Sequence, residues 1–255
     1  MYLPLLEEAS NYLFLIRPRR FGKSVFVSMM QAYYDIAKAD RFNTLFDGLW
    51  IQQHPTPLKN AFQIIYLDFS IIGAGMGNLE EKFNEYCCIV MDSFIRTYKD
   101  FYREDFYNEV LATSNVGTKM KLVNNEAHKC GYPLFLIIDE YDNFTNVILS
   151  EGGKEMFRNL THASRFYREY FKLFKVMFSR VFLIGVSPVT LDDLSSGYNI
   201  DWNISQAPEF NYMLGFSESD VREMFSYYKG VGKLRPDADI EAMLTEMKPW
   251  YNNYC

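Results

Sequence analysis

The chain has 255 residues, of which 49% are hydrophobic, 17% aromatic and 23% charged. That balance belongs to a folded chain with a full core, long enough for one large or two small domains, and excludes disordered or collagen-like sequences. The formal net charge of −6 gives no support to a broad grip on nucleic acid, which needs Lys and Arg to displace counterions along the phosphate backbone.

Four short apolar runs alternate with segments of helical period, the pattern of a mostly parallel sheet covered by helices. The first, Tyr12 to Ile16, leads through Arg17-Pro18-Arg19-Arg20-Phe21-Gly22-Lys23-Ser24 into a helical run from Val25 to Ala37. The second, Gln63 to Leu67, leaves Asp68 near the same edge of the sheet. Gly73-Ala74-Gly75-Met76-Gly77 follows, but its third glycine arrives one residue early for a dinucleotide turn, so a strand-to-helix loop is expected. Leu79, Phe83, Tyr86, Cys87, Val90, Phe94, Tyr98 and Phe101 then recur at three- and four-residue steps, as one apolar stripe along a helix requires.

The third run, Leu134 to Ile138, ends in Asp139-Glu140. A second helical stripe, Met156, Leu160, Ala163, Tyr167, Tyr170, Phe174 and Met177, precedes the fourth run, Val181 to Val186, which ends in Ser187-Pro188. Beyond Gly215, Ser217 is placed to cap a helix carrying Val221, Met224, Phe225 and Tyr228, and Pro236-Asp237 opens another through Ile240, Leu244 and Met247. The expected division is a core over 1–214 and a helical subdomain over 215–255.

The chemistry sits at the ends of these strands. A strand, a Gly22-Lys23-Ser24 turn and a helix form the setting of a phosphate-binding loop: backbone N–H groups face the phosphates, Lys23 reaches the β- and γ-phosphates, and the Ser24 hydroxyl ligates Mg²⁺. The first glycine of the usual pattern is replaced by Arg17. Asp139 ends a buried strand, as a Mg²⁺-binding Walker B acid would, and Glu140 beside it is placed to orient and deprotonate water. Asp142 is expected to brace the following loop. Ser187 is a candidate sensor of the γ-phosphate, and Arg158, Arg165, Arg168 and Arg180 are candidate arginine fingers, most of them expected to be solvated charges.

Cys87, Cys88, Cys130 and Cys255 form no CxxC pair and His54, His128 and His162 are scattered, so no zinc site is expected. No apolar run approaches the roughly 18 residues needed to cross a bilayer, and the start lacks the plan of a signal peptide. The expectation is a cytoplasmic protein that makes no membrane contact.

Arg-Pro-Arg-Arg-Phe-Gly-Lys-Ser at 17–24, Ile-Asp-Glu-Tyr-Asp at 138–142, Gly-Val-Ser-Pro-Val at 185–189, Gly-Phe-Ser-Glu at 215–218 and Trp-Tyr-Asn-Asn-Tyr at 250–254 resemble the bacterial and archaeal AAA-ATPase-like family. The resemblance implies an α/β P-loop NTPase fold of the AAA-like, additional-strand type, with ATP and Mg²⁺ as ligands. It makes Arg17 a feature of the family's loop, so that residues 17–24 together form the nucleotide-binding segment. Members frequently continue into a PD-(D/E)xK nuclease-like domain and begin with a Tyr-Val-Asp-Lys-Thr-like stretch. Against that plan the sequence reads as clipped at both ends, without the nuclease-like domain, and Asn252-Asn253 departs from the family's Asp-Gly. The functional expectation is a slow Mg²⁺-dependent ATPase. The alternatives are a nucleotide-gated regulatory or interaction module, and a nucleic-acid-acting machine to which the acidic charge lends no support.

Overall fold

The computed structural model describes residues 2–72, 79–143, 166–187 and 202–251. The glycine-rich stretch 73–77, Met156, Leu160 and Ala163 of the second stripe, Arg158, Arg165, the Arg168 side chain, residues 188–189 and residues 252–255 lie outside that description.

Each apolar run forms a parallel strand: β1 (Tyr12–Ile16), β2 (Gln63–Asp68), β3 (Leu134–Asp139) and β4 (Arg180–Gly185), joined by a short edge strand β5 (Trp202–Asn203). The order across the sheet is β2-β3-β4-β1-β5. Strand β4 thus stands between β1 and β3, the additional strand of this NTPase type, with Leu13 opposite Phe182 and Ile137 opposite Phe182 on its other side. The architecture is an α/β parallel sheet flanked by helices, as the alternation of runs and stripes implies.

Helix α1 (Tyr2–Ala9) precedes β1, and α2 (Lys23–Tyr34) leaves its far end. Alternation along the strands sends Leu13 and Leu15, Phe135 and Ile137, Phe182 and Ile184 to one face, where Phe26, Val27 and Met30 of α2 meet them. Phe14, Ile65, Leu67, Leu136, Ile138 and Leu183 point to the other face. That face is covered by α3 (Leu79–Thr97), α5 (Val116–Cys130) and α6 (Phe166–Met177), with α4 (Glu104–Leu111) alongside. The stripe read over residues 79–101 is therefore core: Phe83, Cys87 and Phe94 are buried, and its tail Tyr98 donates its hydroxyl to buried Asp35 at 2.7 Å.

Two groups close the working end of the sheet. The Asp142 carboxylate, almost fully buried, accepts the Val186 N–H at 3.1 Å and the Ser187 N–H at 2.7 Å, tying the turn after β3 to the end of β4. Above it the Tyr141 ring lies edge-on to Phe14, centroids 4.9 Å apart, and its hydroxyl donates to the Ser187 carbonyl. Gly185 makes room for that ring, since a Cβ there would stand 2.3 Å from Tyr141 Cε1. Arg17 does the equivalent work for β5. Its guanidinium donates to the carbonyls of Ile16 at 2.9 Å, Ser205 at 2.8 Å and Phe210 at 2.8 Å, and burial pulls its pKa down.

Beyond the sheet, α7 (Glu218–Gly230) starts at Ser217, whose side chain accepts the Asp220 N–H while Asp220 returns the bond to the Ser217 N–H. This is the cap the sequence suggests. Helix α8 (Ile240–Tyr251) begins later than Pro236-Asp237: Asp239 Oδ1 accepts the N–H groups of Glu241 and Ala242 at 3.0 and 3.1 Å. The cap belongs to the residue whose carboxylate can reach two free N–H groups, and Pro236 stands too early for that.

Arg17→Ala should lower stability by about 1 to 3 kcal/mol, because it strands the buried Phe210 carbonyl and the part-buried Ser205 carbonyl, which accept from a charged donor. It should leave nucleotide affinity close to that of the parent, which melting and nucleotide titration of the same sample would check. Asp142→Asn should lower the melting temperature as well, since the Val186 and Ser187 N–H groups reach different carboxylate oxygens and the amide turns one of these into an NH₂ donor.

Candidate functional site

Period-two alternation places Asp139 on the same face as Phe135 and Ile137, the face that α2 covers. The first turn of α2 arrives directly over it. Ser24 Oγ donates to Asp139 Oδ2 at 3.3 Å, and Lys23 Nζ pairs with Glu140 Oε1 at 3.4 Å while donating to the Pro18 carbonyl at 3.4 Å. Hydroxyl, ammonium and two carboxylates, separated by more than one hundred positions in the sequence, thus meet at the edge formed by the strands' C-terminal ends.

Around them lies a cavity of about 560 Å³ lined by Arg19, Arg20, Gly22, Lys23, Ser24 and Val25 from the loop and by Asp68, Ser70, Asp139, Glu140 and Asn143 from the strand ends. A wider hollow of about 750 Å³, lined by Arg96, Lys99, Tyr102 and their neighbours, holds none of these groups. Near it, Tyr102 donates to Gln63 at the start of β2, the opposite end of the sheet.

The loop is shaped to leave backbone donors open. Gly22 takes a left-handed conformation at φ 83°, as does Arg20 at φ 69°, and Gly22 offers α2 no side-chain cap. The first N–H groups of that helix therefore keep their polarity directed at the cavity, an arrangement suited to an anion. Lys23 is 5% exposed, so its charge is held among protein groups and not in bulk water. Glu140 also has left-handed backbone, φ 50°, which for a non-glycine residue costs of order 1 to 3 kcal/mol and is sustained here by its neighbours. Burial holds the Asp139 carboxyl above the ordinary aspartate range; the charges of Glu140 and Asp68 push the same way, against the Glu140 N–H and the Ser24 hydroxyl.

The hydroxyl and carboxylate oxygens are hard donors of the kind Mg²⁺ takes. Among the described residues no group of three His, Cys, Asp or Glu side chains gathers into a cage for an ion. Mg²⁺ is usually held by one or two carboxylates together with substrate phosphates and keeps several waters.

The sequence-read site divides on the structure. Arg19, Arg20, Gly22, Lys23, Ser24, Asp139 and Glu140 come together around the cavity. Arg17, Pro18 and Phe21 do not line it: Arg17 is spent on the carbonyls beside β5, and Phe21 lies against Gly215, where a Cβ would come within 2.9 Å of its ring. Ser187 is outside the lining too, because Asp142 and Tyr141 hold its backbone. Arg180 lies away from the cavity. It opens β4 at the far end of the sheet, where its guanidinium donates to the Glu7 carbonyl at 2.8 Å. Asn143, Ser70 and Val25 are lining residues that sequence reasoning did not single out. For Asn143 the signal was its position one step past the Asp139–Asp142 motif.

The model of the family described as Predicted AAA-ATPase matches residues 1–195. A protein of Azotobacter chroococcum mcd 1, described as an uncharacterized protein in the vnfD 5' region, is 24% identical over 269 aligned positions, taking in 99% of this chain and 43% of that protein. The chain thus spans less than half the length of this relative. With 195 residues under one family model, and with a sheet order that inserts β4 between the loop strand and the acidic strand, the chain belongs to the AAA-ATPase-like family.

Proposed function

We propose that the cavity binds Mg²⁺·ATP and that the protein hydrolyses it slowly. The observation that carries this reading is the pairing of Ser24 with Asp139 and of Lys23 with Glu140 beneath the uncapped start of α2. In this reading the free N–H groups of residues 22–25 surround the β-phosphate. Lys23 exchanges its contact with Glu140 for the β- and γ-phosphate oxygens, a stronger set of acceptors for a buried ammonium. Ser24 and, through water, Asp139 would hold Mg²⁺, which supplies neutralising charge to the phosphates when bound. Arg19 and Arg20, exposed on the rim, add positive charge on the solvent side.

Glu140, released from Lys23, is then free to orient a water for attack on the γ-phosphorus and to accept its proton. The same ion pair ensures that the base and the ammonium are not committed to chemistry before the nucleotide arrives. A γ-phosphate sensor at Ser187 finds no support in the lining, where the uncharged polar side chains besides Ser24 are Ser70 and Asn143. Activity on a macromolecular partner, and any part played by a nuclease-like domain in a longer protein, would be driven or gated from this site.

Lys23→Ala should abolish measurable ATP binding by calorimetry while the protein stays folded; unchanged affinity would remove Lys23 from the site and with it the phosphate-loop reading. Glu140→Gln should bind ATP at least as well as the parent and lower the single-turnover rate by about 10² to 10⁴-fold. A Glu140→Gln protein that turns over at the parent rate would place the base elsewhere, and a parent that binds without turnover would favour a nucleotide-gated module.

A further inference from the structure

We infer that Asp68 is a second carboxylate for the magnesium ion of the bound nucleotide, acting beside Asp139 through the ion's water shell; this rests on the Mg²⁺·ATP reading of the cavity. Strand alternation supplies the first argument. On β2 the residues facing α2 are Ile64, Tyr66 and Asp68, and on β3 they are Phe135, Ile137 and Asp139. Asp68 and Asp139 are direct partners in the parallel register, so both carboxylates leave the sheet side by side, on the face where Ser24 approaches. Both line the cavity.

The second argument is rigidity. The Asp68 N–H donates to the Tyr86 hydroxyl at 2.8 Å, and Asp68 Oδ1 accepts the Ser70 N–H at 2.9 Å. Asn143 donates to the Phe69 carbonyl at 3.2 Å, stapling the turn after β2 to the turn after β3. The carboxylate is therefore held in place before any ligand arrives, as a positioning group must be.

The third argument is charge. Among the described residues Asp68 takes part in no ion pair, and Lys23, the buried ammonium of the cavity, is engaged by Glu140. Three carboxylates and a polyphosphate in one cavity repel one another, and with Lys23 drawn to the phosphates and Arg19 and Arg20 on the exposed rim, a divalent cation between the carboxylates and the phosphates offsets that repulsion. The turn itself does not require the charge, because an asparagine oxygen caps an N–H as well as an aspartate does. What aspartate adds at this position is a negative charge fixed beside the Asp139 carboxylate.

The test compares the parent with Asp68→Asn, using a fluorescent ATP titrated at fixed free Mg²⁺ concentrations and in excess chelator. Asp68→Asn keeps the cap and removes the charge. It should raise the half-saturating Mg²⁺ concentration by about 10- to 100-fold, the range for losing an outer-shell partner of a metal. Affinity in chelator should be equal to or tighter than that of the parent, and the melting temperature unchanged. Asp68→Glu, which restores the charge, should recover part of the Mg²⁺ dependence, and it carries the test if the asparagine variant is poorly folded. A Mg²⁺ dependence identical to the parent's in the asparagine variant overturns the inference. So does a variant that loses turnover alone, which would make Asp68 a proton acceptor. A parent whose ATP binding ignores Mg²⁺ overturns the magnesium reading of the whole cavity, a different failure visible before any variant is made.

Discussion

The face of the sheet on which α2 packs is the constraint from which the site follows. Helix α2 leaves the C-terminal end of β1 and lies across strands whose side chains alternate, so only every second residue of β2 and β3 can reach its first turn. That rule brings Asp68 and Asp139 under Ser24 and leaves Leu67 and Ile138 in the opposite core. A one-residue slip of β3 would bury the carboxylate among leucines and phenylalanines and lift Ile138 into the cavity. The register holds because both faces are packed with apolar side chains that cannot exchange places.

The loop between β1 and α2 is divided between two tasks. Its first part anchors: Arg17 ties β1 to the turns after β5, and Phe21 lies against Gly215 just before the capped start of α7. Its second part stays open: Gly22 gives α2 no cap, and Lys23 and Ser24 face the acids of β3. The opposite wall shows the same division, since Asp142 spends its carboxylate on the backbone of Val186 and Ser187 whereas Asp139 and Glu140 border the cavity. Arg17, Phe21 and Asp142 thus hold the edge in shape without lining the cavity, whereas Asp68 and Asn143 do both, and the left-handed backbone of Glu140 lies among the lining residues.

Much of this was legible from residue order. Runs of apolar residues bounded by polar turns mark β1 to β4 within a residue or so, because a strand buried on both faces needs such a run. β4 begins at Arg180, not Val181, since the Glu7 carbonyl gives that guanidinium a partner. Helix α5 was less visible: Lys119 and Glu126 interrupt its apolar pattern, and both are buried through ion pairs with Asp92, Arg103 and Lys129. Arg17 and Ser187 show the limit of motif reading. Their neighbours in sequence point to the phosphates, while their hydrogen bonds are made with Ser205, Phe210 and Asp142, contacts that local pattern does not encode. Asp68 is the reverse case, a residue with no motif around it whose parity with Ile64 and Tyr66 already assigned its face.

The central claim is that the open N–H groups at the start of α2 receive the phosphates of Mg²⁺·ATP. Amide hydrogen exchange of the protein, with and without Mg²⁺·ATP, tests it most directly at residues 22–25. The account predicts that these amides exchange more slowly in the presence of the nucleotide, with smaller protection at 139–143 and none around Arg96 and Lys99. Unchanged exchange at 22–25 under conditions where ATP demonstrably binds would contradict it.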